Sequence, residues 1–355
     1  MNTFGHLFTL TTAGESHGEA LTAIVDGMPA GIRIDRDELA LQMARRAPGT
    51  GIGSTRREPD RVRLLSGLRD DVTIGTPIAL LIENSDVRPG DYSHLKHTFR
   101  PSHADYTYQA KYGIRAVEGG GRASARETAL RVAAGALAMQ ALAKRGVSVH
   151  AYTSQIGRVS MPGGYEGVDY DAIYTNAVYC PDADAADRMI AEIESARAAG
   201  DTLGGIVNCI IDGLPAGIGE PVYDKLQAML ASAMMSINAA HGFEYGMGFA
   251  GAAMRGSEAL DKWTTDDCGR LRTVTNHSGG IQGGISNGMP VTMRVAFKPV
   301  ATLMRPVESV NLHGESVTIE PHGRHDCCVV PRAVAVVRAM AAITTLDAIL
   351  MAGKW

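Results

Sequence analysis

The stretch from Arg100 to Arg131 concentrates more candidate chemistry than any other part of the chain. With Lys96 just ahead of it, it sets Arg100, Lys111, Arg115, Arg122, Arg126 and Arg131 against Asp105, Glu118 and Glu127. Gly119-Gly120-Gly121 leads directly into an expected helix start, where Arg122 and Arg126 stand four apart. Unpaired helix N–H groups, the positive end of the helix dipole and glycines that admit a ligand to the backbone together make an anion site. Two guanidiniums at that spacing strengthen it. The competing interpretation is a Gly-rich turn with solvated arginines. If Arg126 is a loop residue it supports little core, so its loss is expected to weaken ligand binding more than folding.

Histidines stand in three similar settings: His17 in Gly14-Glu15-Ser16-His17-Gly18, His103 in Arg100-Pro101-Ser102-His103-Ala104-Asp105, and the pair in His322-Gly323-Arg324-His325-Asp326. An imidazole between small loop residues can serve as an acid or base near neutral pH; a structural or exposed histidine is the alternative for each. His94 and His97, like His322 and His325, are spaced as metal ligands sometimes are. No Cys or carboxylate framework accompanies them, and no metal is expected. The chain has no HExxH, GxSxG or GxxxxGK[ST]. Gly246 to Gly251 matches GxGxxG but follows the polar stretch 238–245 rather than a buried strand, a poor setting for a dinucleotide. The cluster Gly279-Gly280-Ile281-Gln282-Gly283-Gly284 leaves both a close ligand approach and a tight loop open.

These motifs need elements to hold them. Ser124 with Glu127 reads as a capping box opening a helix over 124–145, uncharged from Val132 to Ala143 and stopped by Gly146. A second buried helix should run from Pro331 to about Leu350. Asp35 opens a helix, with Glu38 as its box partner, that ends before Pro48; Asp184 to Gly200 is amphipathic. Ile24-Val25-Asp26-Gly27-Met28-Pro29-Ala30-Gly31-Ile32 returns as Ile210-Ile211-Asp212-Gly213-Leu214-Pro215-Ala216-Gly217-Ile218. Each copy precedes a helix, the second placing Leu226, Met229, Leu230, Ala233 and Met234 on one stripe. Each is followed by a Gly-x-Pro turn into another strand, at Gly75 and Gly288. The pattern implies two related strand–helix–strand halves around one core, dividing near residue 200.

Composition sets the class. The chain has 355 residues, 45% of them hydrophobic, and a formal net charge of −4, which excludes a strongly basic domain given over to nucleic acid. Twenty-seven arginines against seven lysines point to planar contacts with carboxylates or phosphates, or to plain compositional drift. Five cysteines without a CxxC fit reduced thiols, the N-terminus has no signal-peptide pattern, and no uncharged apolar run is long enough to span a membrane. A cytoplasmic protein without a membrane partner is the expectation.

Eight stretches in register resemble the chorismate synthase family: GESHG at 14–18, RRAPGT at 45–50, RREPD at 56–60, FRPSHADYTY at 99–108, GGGRASARET at 119–128, SINA at 236–239, GGIQGGIS at 279–286 and GRHD at 323–326. The resemblance implies one α/β domain (α+β type) over 1–355, with helices sandwiched between two antiparallel sheets and an internal pseudo-twofold repeat, assembled as a homotetramer. It implies a lyase of the shikimate pathway and aromatic amino acid biosynthesis. Such a lyase removes phosphate and a ring proton from 5-enolpyruvylshikimate 3-phosphate to give chorismate, and requires reduced FMN (FMNH2) without net redox change. By the same resemblance His17 and His103 are catalytic, one keeping the flavin protonated and the other managing charge at the departing phosphate, and Asp326 helps the flavin accept the ring proton. Arg46, Arg100 and Arg126 match arginines that hold substrate or NADP phosphate. The flavin would lie against Arg122, Ala123, Ser124, Asn238, Ala239, Gly283, Lys298, Pro299, Val300, Ala301, Thr302 and Arg324. An external flavin reductase or other reductant is favoured over self-reduction with NADPH, because no extra reductase segment is visible.

The chain departs from the family pattern at Ala123, often Ser; Ser102, usually Gly; Ile52, often Arg; His241, often Lys; Cys327, commonly Pro; and at the less polar Val300-Ala301. The alternative function is a non-catalytic Arg-rich protein binding phosphate or RNA, with Tyr106, Tyr108 and Tyr112 interleaved.

Overall fold

Leu21, Ala23 and Val25 are buried while Thr22, Ile24 and Asp26 point outward, the alternation of a strand covered on one face. This strand is the centre of the first of two sheets in the computed structural model, which describes residues 1–47, 60–85, 95–117, 120–320 and 326–355. The first sheet contains β1 (Thr3–Phe4), β2 (Thr9–Ala13), β3 (Ala20–Asp26), β4 (Val62–Leu64) and β7 (Ile78–Glu83), in the order β1-β2-β3-β7-β4; the small hairpin β5 (Leu68–Arg69) and β6 (Val72–Thr73) precedes β7. Strand β8 (Thr98–Phe99) joins a later hairpin. The second sheet runs β10-β9-β11-β17-β12, from β9 (Ser148–Ile156), β10 (Val159–Ser160), β11 (Gly205–Asp212), β12 (Ala240–Tyr245) and β17 (Val291–Phe297). Hairpins β13 (Trp263–Thr265) with β14 (Leu271–Thr273), β15 (Ile281–Gln282) with β16 (Ile285–Ser286), and β18 (Val307–Asn311) with β19 (Ser316–Ile319) complete the strands, β8 pairing with β18. Every pairing between these strands is antiparallel.

Six α-helices are described: α1 (Arg36–Arg46), α2 (Asp105–Tyr112), α3 (Thr128–Ala143), α4 (Ala183–Ala198), α5 (Leu226–Met235) and α6 (Val330–Met351). Helix α3 packs on the first sheet, α6 on β9 and β11 of the second, and α3 and α6 pack on each other between them. Their approach is close because Gly135 has no side chain: a Cβ there would collide with Ala339. One buried apolar cluster runs through both sheets and these helices. The fold is therefore mixed α/β, with helices between two antiparallel sheets, as the resemblance implied.

The repeat is visible in three dimensions. In both copies a strand (β3, β11) ends at a glycine with φ near 75°, Gly27 and Gly213, whose missing side chain lets it abut the carbonyl of Leu7 or Gly146. A helix (α1, α5) follows, and a later strand (β7, β17) pairs antiparallel with the first. The change from first to second sheet falls between α3 and β9. The second sheet thus takes up strands that the sequence-based division near residue 200 assigned to the first half.

Several local expectations are met in form but not in detail. Asp35 caps α1, accepting from the N–H groups of Asp37 and Glu38 at 2.9 and 3.1 Å. Glu38 does not reach back; its carboxylate accepts from Gln42. All five stripe residues of α5 are buried. The 124–145 helix begins as two short 3₁₀ turns, Gly121–Ala123 and Ala125–Glu127, before α3. Ser124 caps the second turn at the N–H of Arg126, and Glu127 pairs with Arg131 instead of closing a box. Helix α6 is long and apolar enough to cross a membrane by composition, yet 83% of that window is buried in the protein.

Candidate active site

Two carboxylates organise the arginines. Asp60, buried and held at φ 44°, pairs with both Arg46 and Arg126. Burial pushes the Asp60 carboxyl up, but the charges of Arg46 and then Arg126 outweigh it and hold it below the usual range. Burial lowers Arg46 to about 10, still a cation at neutral pH. Arg46 is 1% exposed and Arg126 5%. Arg332 donates to the Arg46 carbonyl at 3.2 Å and pairs with Asp326. Asp105 repeats the arrangement: Arg100 forks onto it with two bonds of 2.8 Å, Arg115 approaches at 3.2 Å, and together they outweigh burial to depress its carboxyl. Each node sets two guanidiniums against one aspartate, so each keeps positive charge for an anion to answer.

The turn Gly120–Gly121, at φ 79° and 52°, lies between the two histidine-bearing loops. A Cβ on Gly120 would lie 3.8 Å from Arg100 Nη2, and one on Gly121 would crowd Ala116 Cβ at 2.9 Å with Glu15 Cγ beyond it at 3.6 Å. On the His17 side, Asn84 at the end of β7 donates to the carbonyls of Glu15 and Gly18 at 3.1 and 2.9 Å and accepts from Arg126 Nε at 3.0 Å. On the other side, His103 Nδ1 faces the Pro101 carbonyl at 2.9 Å and its Nε2 the Thr302 hydroxyl at 3.1 Å. Burial, then the charge of Arg100, lowers the His103 pKa. Ser102, between them, stands at φ 58°, a left-handed position suited to the glycine usual in the family.

The expected flavin residues fall into linked groups. Arg122 and Ala123 line a cavity of about 540 Å³ together with Asn238, Tyr108, Glu127 and Arg131, a volume typical of small-molecule sites. Arg122 reaches Thr12 Oγ1 at 2.6 Å and Asn2 Oδ1 at 3.2 Å. Asn238 donates to the Ala123 carbonyl at 2.9 Å, which fixes its amide orientation, and leaves Oδ1 buried without a partner among the described residues. Ala239, at φ 66°, accepts from the Lys298 N–H at 3.0 Å. The Lys298-Pro299-Val300-Ala301-Thr302 segment is then held by Thr202, which donates to the Val300 carbonyl at 2.7 Å, and by the His103 contact. Ser124 follows Ala123 in the 3₁₀ turns. Gly283 lies beside open space, but in the β15–β16 turn whose Gly284 accepts from Leu226 at the start of α5. That is the end of α5 opposite Asn238, about 15 Å along a ten-residue helix. Arg324, with His322 and His325, lies outside the described residues, as do Ile52 and His94.

Asp60, Asn84 and Arg332 were not singled out from sequence. Asp60 closes the RREPD stretch and Asn84 is the polar residue that follows β7's last carboxylate; their partners, 14 to 69 positions away, have no one-dimensional signal. The GxGxxG stretch follows the edge strand β12, which pairs antiparallel. Its glycines serve packing: a Cβ on Gly246 would meet the His277 carbonyl and one on Gly248 the Glu244 carboxylate.

A sequence model of chorismate synthase matches residues 8–350, nearly the whole chain. The chain belongs to the chorismate synthase family. The chorismate synthase of Cytophaga hutchinsonii is 53% identical over 98% of this chain and 96% of its own length, and that of Bacteroides thetaiotaomicron 51% over 99% and 98%. A crystal structure of a chorismate synthase superposes with a TM-score of 0.80 at 29% identity, covering 98% of this chain and 93% of that one. Membership makes the protein an enzyme, a lyase, and gives the arginine nodes and histidine loops a common purpose. That membership displaces the alternative of a non-catalytic Arg-rich protein binding phosphate or RNA.

Proposed function

We propose that the protein converts 5-enolpyruvylshikimate 3-phosphate to chorismate by loss of phosphate and a ring proton, with reduced FMN as its cofactor. The observation that carries this reading is the pairing of each histidine loop with an arginine node: Asn84 ties the His17 loop to Arg126, which shares Asp60 with Arg46, and Arg100 and Arg115 share Asp105 beside His103. A substrate with two carboxylates and a phosphate demands concentrated positive charge, which a chain of net charge −4 supplies only locally.

A flavin fits the residues present. The partnerless Asn238 Oδ1 is an acceptor for an N–H donor, Arg122 borders the same cavity, and the backbone at Ala239 and Lys298 is already tied. Arg122, Ala123, Ser124, Asn238, Ala239 and the 298–302 segment would hold it, with Gly283 and Arg324 contributing. When bound, reduced flavin lends electron density to the breaking bond and recovers it, so no net redox change results.

The chain's own groups manage charge and protons. Arg46, Arg100 and Arg126 orient the anionic groups, and of His17 and His103 one keeps the flavin protonated while the other manages charge at the leaving phosphate. His103 holds its proton on Nδ1 and turns Nε2 to the Thr302 hydroxyl, while Asp326, paired with Arg332, helps the flavin accept the ring proton. We further propose a homotetramer in the cytoplasm, served by an external flavin reductase or other reductant, over the full chain as one domain. The test is an anaerobic assay with this substrate and chemically reduced FMN, following phosphate release and chorismate absorbance. Turnover is expected there and none with oxidised FMN in air; sustained turnover without reductant overturns the flavin requirement.

A further inference from the structure

The His17 loop and the arginine node at Asp60 are joined through one side chain. Asn84 uses both kinds of polar group on its amide: Nδ2 donates to the carbonyls of Glu15 and Gly18, at 3.1 and 2.9 Å, and Oδ1 accepts from Arg126 Nε at 3.0 Å. Its backbone N–H adds a bond to the Glu19 carbonyl at 3.0 Å, so β7 continues its pairing past Glu83 into the turn that carries His17. Arg126 in turn shares Asp60 with Arg46. The two carbonyls bound by Nδ2 bracket Ser16 and His17, so they fix the span of the loop on both sides of the imidazole. Only a side-chain amide of this length can donate to both and still accept from a guanidinium.

We propose that Asn84 is a positioning residue for the reaction: it sets the His17 loop in register with the Arg46–Asp60–Arg126 node, so that anion capture and placement of His17 are one linked event. The proposal rests on the function proposed above for that site. Asn84 touches neither reacting atom; it acts through the two carbonyls and the guanidinium. A misplacement of about 1 Å at a catalytic group costs on the order of 10²-fold in rate.

Asn84→Asp separates the two arms. The carboxylate still accepts from Arg126 but repels the carbonyls of Glu15 and Gly18, which releases the loop alone. In the full-length protein, kcat should fall on the order of 10²-fold with KM for 5-enolpyruvylshikimate 3-phosphate changed less than about threefold. Asn84→Ala should lower kcat and raise KM together. Hydrogen exchange, read without substrate or flavin, should show faster exchange over 14–19 in both variants and unchanged protection in α3 and α6. Wild-type kcat per folded molecule in Asn84→Asp, or unaltered exchange over 14–19, overturns the proposal. Exchange that rises equally across α3 and α6 also overturns it, since Asn84 would then support the fold at large. A wild-type enzyme that forms no chorismate defeats the proposed function instead, and the exchange measurement still decides whether Asn84 holds the loop.

Discussion

His103 and Thr302, 199 positions apart, meet at 3.1 Å between the imidazole Nε2 and the hydroxyl. The other ring nitrogen faces the Pro101 carbonyl, which can only accept, so Nδ1 carries the proton and Nε2 is left as the acceptor. Burial and then Arg100 lower the pKa from the ordinary 6.5, against the opposing pull of the Pro101 carbonyl and Asp105. The neutral ring is therefore the native form at neutral pH. By linkage, the unfolded chain binds the His103 proton first as pH falls, so the native state loses stability below about 6.5 and through the depressed folded value. Urea unfolding of wild type and His103→Gln from pH 5 to 8 should show a stability difference that is flat above about 6.5 and shifts against wild type below it. A difference constant over the whole range would mean that His103 titrates normally.

Arg126 is not the loop arginine that its sequence position implied. It is 5% exposed, shares Asp60 with Arg46 and bonds Asn84. Removing it leaves Asp60 with one guanidinium instead of two, and breaking a buried pair costs about 3–5 kcal/mol. Arg126→Ala should lose both substrate affinity and stability, and equilibrium denaturation should separate it clearly from an exposed control such as Arg69→Ala. Stability within about 0.5 kcal/mol of wild type would show that the Asp60 node does not hold.

The fold was more legible than the site. Periodicity placed the α5 stripe, a proline marked the start of α6, and the repeated Gly/Pro turns announced the two halves, because each is a short-range pattern. Ser124 and Glu127 misled because Arg131, one turn on, draws the Glu127 carboxylate away. The histidine loops and the Gly-rich turn were legible as motifs. What pairs with each arginine was not: Arg46–Asp60 and Arg126–Asn84 link residues that only tertiary folding brings together. The stretch 240–245, polar and not a buried strand, is an edge strand, since pairing with β17 satisfies its backbone whatever its side chains prefer.

Asp347 fastens the N-terminus to the core. It is 1% exposed on α6 and accepts from the backbone N–H groups of His6, Leu7 and Phe8 at 2.9, 2.7 and 2.9 Å. The same hairpin delivers Asn2 to Arg122 at the candidate flavin cavity. Asp347→Ala strips three donors of their acceptor, at about 1–3 kcal/mol for each that stays buried. Of the three only Phe8 is fully buried, so a loss of about 1–3 kcal/mol is expected in denaturant unfolding, together with faster hydrogen exchange over residues 3–12. Unchanged exchange there would show that the β1–β2 hairpin is held by its own pairing.

Asp326 tests whether a carboxylate serves the reaction or the fold. Two structural roles can be distinguished, a cap on α6 and an ion pair. The helix has no side-chain cap: its first residues follow Val329, and Asp326 turns instead to Arg332, whose Nε binds the Arg46 carbonyl at 3.2 Å. The stability at stake is thus that of a charge-assisted bond, about 1.5–3 kcal/mol, and part of any loss should pass to the Arg46 node. Asp326→Asn keeps the shape and an acceptor for Arg332 while removing the basic carboxylate. If Asp326 helps the flavin accept the ring proton, Asp326→Asn should fold with a small loss of stability and turn over about 10²–10⁴-fold more slowly. Arg332→Gln gives the complementary reading: it breaks the ion pair but leaves the carboxylate, so its stability loss should match or exceed that of Asp326→Asn while its turnover falls less. Should Asp326→Asn retain full activity per folded molecule and Arg332→Gln lose it, Asp326 is a structural partner and the proton chemistry belongs to His17 and His103 alone.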